Sequence, residues 1–154
     1  MPSTLPQTRI FLVGCPRSGT TLLQSLLAAH PEICSFPESH FFSTLVPNRK
    51  LLRQLDLCVR NIHPRLRQFF QSIGRDELVA QFPKRALFNH QYAHQFIQSL
   101  DQIAAEKDQR IWIEKTPGHL HYIDYIEKLN IDAKFIHIVR NGTDVIASFY
   151  ELAQ

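Results

Sequence analysis

Cysteine is scarce in this 154-residue chain, and the three present, Cys15, Cys34 and Cys58, form no C-x-x-C pair. An odd count without that spacing argues against a disulfide framework or a cysteine zinc site, and it fits a reducing compartment. Long apolar runs are missing, since nothing approaches the ~20 residues that span a bilayer. The opening MPSTLPQTR lacks the basic start and apolar stretch of a secretory signal. A cytoplasmic protein without a membrane span is expected. A large charge of either sign is also missing. The formal net charge of +3 suits an anionic small ligand or an acidic substrate, and it does not call for nucleic acid.

What is present fits one globular domain over residues 1–154, with enough apolar sequence to hide roughly 70% of the unfolded surface. Positive charge is unevenly spread. Residues 48–110 hold 11 Lys and Arg against 6 Asp and Glu, whereas the rest of the chain holds 6 against 8. Those residues also read as a mainly helical insertion rich in Leu, Gln, Arg and Phe, with breaks near Pro64, Gly74 and Pro83. Such a charge pattern ordinarily marks a solvated helical face.

Residues 9–14, Arg-Ile-Phe-Leu-Val-Gly, form a short apolar run with a glycine stop, the pattern of a buried parallel strand. Leu22, Leu23, Leu26 and Leu27 then recur at helical spacing until His30-Pro31. Further strands are predicted at 33–36, at 110–113 and, most clearly, at 133–139. Helices are predicted over about 120–129 and from 143 onward, the last capped by Asn141 or Thr143. Strands alternating with helices predict an α/β fold: a three-layer sandwich with a short central parallel sheet flanked by helices, like that of P-loop nucleotide hydrolases. Trp112 and the phenylalanines are expected in the core.

The stretch FLVGCPRSGTTLL joins the first strand to the first helix and nearly spells G-x-x-x-x-G-K-[ST]. Gly14 and Gly19 let the backbone curl around an anion, and the helix start adds positive potential. Thr20 and Thr21 add hydroxyl donors, and Arg17 adds a charged fork suited to phosphate or sulfate oxygens. The loop lysine that reaches the β- and γ-phosphates in nucleotide hydrolases is absent, and Thr20 stands in its place. A small kinase or hydrolase remains an alternative through Glu114, which follows a strand and is placed to hold a metal. A cysteine phosphatase is disfavoured, because position 21 is Thr where a phosphate-clamping Arg is needed. Cys15 is therefore read as a small packing residue.

Four blocks in order resemble the sulfotransferase family, whose donor is 3′-phosphoadenosine 5′-phosphosulfate (PAPS). Cys15-Pro-Arg-Ser-Gly-Thr-Thr-Leu-Leu with Ala29-His30-Pro31-Glu32-Ile33 resembles the 5′-phosphosulfate loop. Pro37-Glu38-Ser39-His40-Phe41-Phe42 resembles the segment carrying the catalytic Glu in Golgi-type and bacterial members. Glu114-Lys115-Thr116-Pro117 resembles the segment with a Lys near the transferred group. Phe135 to Ser148 resembles the 3′-phosphate segment. The resemblance implies Glu38 as general base, with His40 as the alternative, and Lys115 beside the departing oxygen. It implies that Arg17, Ser18, Gly19, Thr20 and Thr21 hold the 5′-phosphosulfate, with Arg17 also acting on the sulfuryl oxygens. Arg140 and Ser148 are implied at the 3′-phosphate, and no divalent metal is implied.

Members of that family are usually longer, continuing past the helix that follows the 3′-phosphate arginine. The final helix here reaches Gln154 with no stop signal, so the expectation is an incomplete sheet in a truncated chain. The apolar side of residues 145–152 is then exposed and available for self-association. The acceptor is a small molecule, glycan or peptide, and the basic stretch 48–110 hints at an acidic one. A catalytically inactive nucleotide-binding remnant of the same fold stands as the alternative. His90 and His94, four apart on a helix, have metal-binding spacing but no evident third ligand.

Overall fold

The computed structural model describes residues 8–152. Residues 1–7, and with them the reading of the N-terminus as free of a targeting signal, lie outside the described residues. Four strands, β1 (Thr8–Gly14), β2 (Ile33–Phe36), β3 (Ile111–Lys115) and β4 (Ala133–Ile138), form one sheet in the order β2-β3-β1-β4. Every pairing in it is parallel. The strands are short and rich in Ile and Phe, which favour a pleated, buried surface.

Helix α1 (Thr20–Ala28) connects β1 to β2. The long crossover to β3 contains α2 (Phe41–Leu45), α3 (Lys50–Gln54), α4 (His63–Ser72), a 3-10 turn at Asp76–Gln81 and α5 (Asn89–Glu106). A second 3-10 turn (Pro117–Tyr122) leads into α6 (Ile123–Lys128), and α7 (Gly142–Leu152) follows β4. No helix among the described residues is long and apolar enough to cross a membrane.

Strand alternation decides which helices cover which face. Trp112 and Glu114 of β3 point to one side. There Trp112 is fully buried edge-on against Phe11, with ring centroids 5.4 Å apart, and donates its indole N–H to Asp101 of α5 at 2.8 Å. Phe41 of α2 and Phe96 of α5 stack at 4.0 Å in the same core. Lys115 points to the opposite side, where it meets Thr21 of α1. The predicted parallel α/β sheet flanked by helices is therefore the fold observed.

Several local expectations shift. Pro64 begins α4 rather than breaking a helix, because proline at the first helical turn gives up only an N–H with no intrahelical partner. The third strand continues through Glu114 and Lys115, since β3 lies between two strands that pair along it. The helix predicted at about 120–129 opens as a 3-10 turn at Pro117. Phe149 is 46% exposed on α7 and is not a core residue. Cys15 is exposed as well, because the turn folds Ser18 inward instead.

Candidate functional site

The loop after β1 is set by contacts that its sequence permits. A methyl group added at Gly14 would lie 2.8 Å from the Ile138 carbonyl oxygen. Glycine alone allows the end of β4 this near, and Arg140 follows two residues on. Ser18 donates both its N–H, at 3.2 Å, and its hydroxyl, at 2.6 Å, to the Cys15 carbonyl. Arg17 and Gly19 take left-handed backbone angles, with φ of 70° and 99°. No side chain caps the start of α1 at Thr20. Its first N–H groups therefore carry the positive end of the helix dipole without an internal partner.

A cleft of about 670 Å³ opens at this loop, lined by Arg17, Gly19, Thr20, Thr21, Glu38, His40, Arg140 and Ser148 among others. At one end, Arg17 Nε donates to Ser148 Oγ at 3.0 Å, and Arg140 Nη1 donates to the Arg17 carbonyl at 3.3 Å. Asn141 caps α7 by accepting the Thr143 N–H at 3.1 Å, which fixes the turn between Arg140 and Ser148. At the other end, Glu38 Oε1 lies 2.5 Å from Lys115 Nζ, and Glu38 Oε2 lies 3.2 Å from His40 Nε2. Lys115 is only 6% exposed and also donates to Thr21 Oγ1 at 3.4 Å. It sits beneath two residues of the cleft wall instead of snorkelling outward.

Of the residues singled out from sequence, Arg17, Gly19, Thr20, Thr21, Glu38, Arg140 and Ser148 meet on this one cleft. Ser18 does not, since its side chain is turned into the loop. Pro117, Gly118, His121 and Tyr122 also line the cleft. No spacing rule pointed to them, because a 3-10 turn after Thr116 brings them there. The arrangement offers an anion seat with two guanidinium groups at one end. At the other it offers a carboxylate in contact with an amine and an imidazole, beside space for a second reactant.

Glu114 is not on the cleft. It is fully buried under the loop that carries Glu38. Its Oε1 accepts the Ser39 N–H at 3.0 Å, the Ser39 hydroxyl at 2.7 Å and the Thr116 hydroxyl at 2.5 Å. Its Oε2 lies 3.0 Å from His119 Nδ1. Burial alone would raise its pKa. The His119 ring and the hydrogen bonds from Thr116 and Ser39 outweigh that and hold the carboxyl below its ordinary range. Glu114 is thus anionic, and both its oxygens are occupied by protein donors, which does not suit the metal-holding role considered from sequence.

A second hollow of about 700 Å³ lies apart from these residues, lined by Lys50, Arg53, Asp56, His90, His94, Asp124 and Lys128 among others. His90 is taken up there by Asp56, at 2.5 Å, and Asp56 also accepts the Tyr125 hydroxyl at 2.7 Å. Burial and this bond to Asp56 push the Tyr125 hydroxyl far up, so it remains a donor. Arg53 links the two cavities: its guanidinium lies 5.2 Å over the Tyr122 ring and donates to the His121 carbonyl at 3.0 Å.

Known proteins resemble this chain in sequence and in fold. A family model described as "Sulfotransferase family" matches residues 9–154. The nodulation protein NoeE of Sinorhizobium fredii is 30% identical over 138 residues, covering 90% of this chain and 30% of that protein. An uncharacterized Aquifex aeolicus protein is 29% identical over 153 residues, covering 97% of this chain and 17% of its own length. Among solved structures, the sulfotransferase domain of the Synechococcus PCC 7002 olefin synthase superposes with a TM-score of 0.61 at 29% identity. That alignment covers 97% of this chain and 54% of the solved one. The chain thus spans less than a third of the curated relatives it matches.

Proposed function

The chain belongs to the sulfotransferase family, and we propose that its cleft binds PAPS and passes the sulfuryl group to a hydroxyl or amine acceptor. In this reading the loop N–H groups, Thr20, Thr21 and Arg17 hold the 5′-phosphosulfate, while Arg140 and Ser148 hold the 3′-phosphate. Glu38 takes the acceptor proton as the acceptor oxygen or nitrogen bonds to sulfur. The bond from sulfur to the bridging phosphate oxygen breaks, and Lys115 offsets the charge left on that oxygen. 3′,5′-Bisphosphoadenosine departs. Ser18 acts through the loop backbone, not by touching the donor.

The observation that carries this reading is the gathering of Arg17, Glu38, Arg140 and Ser148 on one cleft, with Lys115 bonded to Glu38. Lys50, Arg53 and Lys128 line the second hollow together with Asp56 and Asp124. The excess of Lys and Arg over Asp and Glu across residues 48–110 favours an acidic glycan or peptide acceptor. Ile146, Phe149 and Tyr150 form an exposed apolar strip on α7, and we assign to it any self-association of the chain. Cysteine usage favours the cytoplasm.

Isothermal titration tests the nucleotide site. 3′,5′-Bisphosphoadenosine should bind with the same affinity in EDTA, because no metal is assigned to the step, and binding should weaken strongly in Arg140→Ala. A folded sample that binds none of it would end the proposal. Transfer of labelled sulfate to glycan, peptide and phenol acceptors then separates an enzyme from a nucleotide-binding remnant. Labelled product that disappears in Glu38→Gln excludes the remnant.

A further inference from the structure

We infer that Glu114 is a positioning residue for Glu38. It is a buried carboxyl group that fixes the loop holding the proposed base at a set distance from Lys115. The inference rests on the reading of Glu38 as the group that takes the acceptor proton.

The loop between β2 and α2 has unusual internal support. Ser39 is 1% exposed, and both its donors go to Glu114 Oε1. The Thr116 hydroxyl gives its proton to the same oxygen and faces the N–H groups of Ser39 at 3.1 Å and His40 at 3.3 Å. The Ser39 hydroxyl in turn accepts the Phe41 N–H at 3.1 Å, at the start of α2. His119, fully buried, closes the ring. The Phe42 N–H points at its Nε2 at 3.3 Å, and its Nδ1 lies 3.0 Å from Glu114 Oε2. These bonds hold His40 at φ 50°, a left-handed angle that a non-glycine residue keeps only when its surroundings enforce it.

An apolar residue in place of Glu114 would fill the space at less cost, since burying a carboxylate is expensive. What it would not do is accept the donors that converge from the loop, from Thr116 and from His119. A carboxylate is the one side chain that only accepts. The strand geometry gives this a consequence for the cleft. Glu114 and Lys115 are adjacent on β3 and point to opposite faces. Ser39 and Glu38 are adjacent on the loop. One dipeptide therefore grips the other on both sides: Glu114 holds Ser39 from within the core, and Lys115 meets Glu38 at the cleft. A shift of Ser39 moves Glu38 relative to Lys115 and leaves the phosphate loop in place.

The test uses the full chain with Glu114→Gln, which keeps shape but turns one acceptor into a donor, and Ser39→Ala as the milder variant. Amide hydrogen exchange at Ser39, His40 and Phe42 should speed up by about tenfold or more, with β1 and α5 unchanged. In the transfer assay, kcat should fall roughly 30- to 100-fold, as a misplacement on the order of 1 Å would cause. KM for PAPS and the Kd of 3′,5′-bisphosphoadenosine should stay within about twofold, since neither contacts this loop in the proposed reading. A folded Glu114→Gln with unchanged exchange at those amides, or with wild-type kcat, overturns the inference. So does a parallel loss of kcat and nucleotide affinity, which marks a general structural role. If Glu114→Gln does not fold, Ser39→Ala decides by the same criteria. A wild-type chain that transfers no sulfate removes the proposed function alone, and the exchange pattern still decides whether Glu114 fixes the loop.

Discussion

Arg17 Nε donates to Ser148 Oγ at 3.0 Å, joining the turn after β1 to the middle of α7 across 131 residues of sequence. The bond places a guanidinium and a hydroxyl side by side, next to Arg140. It also means that Ser148 serves two functions in the proposed reading: orienting Arg17 and contacting the 3′-phosphate. Ser148→Ala removes one neutral donor and is expected to weaken 3′,5′-bisphosphoadenosine by roughly 3- to 10-fold. Arg140→Ala removes a charge-assisted contact and is expected to weaken it by roughly 10- to 100-fold. Titration calorimetry of the two variants measures both. Equal losses would mean that Arg140 does not meet a charged phosphate.

Glu38 is expected to separate catalysis from binding. It contacts Lys115 and His40 and makes no bond to the phosphate loop. Glu38→Gln keeps the side chain's size and removes its basicity, so transfer from PAPS should fall roughly 10²- to 10⁴-fold. The affinity for 3′,5′-bisphosphoadenosine should hardly change. His40→Ala distinguishes the two candidate bases. His40 touches the second oxygen of Glu38 and is expected to cost about tenfold or less, as an orienting contact would. A larger loss in His40→Ala than in Glu38→Gln reverses the assignment.

The parts legible in the sequence were those whose signal is local. The strand at β1, the glycines at 14 and 19, and the helix that follows are one continuous pattern, and the structure keeps them. Arg140 and Asn141 were readable for the same reason, as a strand end followed by a helix cap. What could not be read depends on contacts across long separations. Glu114 and His119 meet Ser39 and Phe42 over 75 and 77 residues, and neither carries a spacing that marks it as buried. The one available cue is an acid at the end of an apolar strand, two residues before Thr116, and it points equally well to a metal. Cys15 was misplaced because a small apolar residue after a buried strand ordinarily packs inward. Here the turn exposes it and buries Ser18.

Gly14 tests how closely the cleft depends on backbone packing. With the Ile138 carbonyl 2.8 Å from the position of an added methyl, Gly14→Ala must push β4 away from the loop. A carbonyl on a paired strand cannot rotate aside as a flexible side chain does. The expected destabilisation is about 1–3 kcal/mol, the range for overpacking, or a melting temperature lower by roughly 2–4 °C for each kcal/mol. Nucleotide affinity should fall with it, because Arg140 lies two residues past the end of β4. Thermal melts and calorimetry on the same sample check both. Gly74→Ala is the control: its φ of 67° also disfavours alanine, but it lies outside the cleft, so only stability should drop.

Glu114 makes the acid stability of the protein depend on one buried group. Its folded pKa lies below the ordinary carboxylate value of 4.5. The unfolded chain therefore binds its proton at higher pH than the folded one does. The stabilisation from its ionisation is fully present above the unfolded pKa and disappears as pH falls through the folded pKa. Urea melts at stepped pH should show stability flat near neutrality and falling below about pH 4.5. Glu106 is held low by Gln102 and Arg75, and Glu77 by Arg75, but both are exposed and add only a screened contribution in the same direction. Glu114→Gln should lower stability at pH 7 by roughly 2–3 kcal/mol, the cost of losing hydrogen bonds to a charged acceptor. It should also flatten the acid limb, because glutamine has no proton to take up. An acid limb that keeps its slope in Glu114→Gln would place the titration elsewhere. Glu114 would then bind its proton equally well in the folded and unfolded chain.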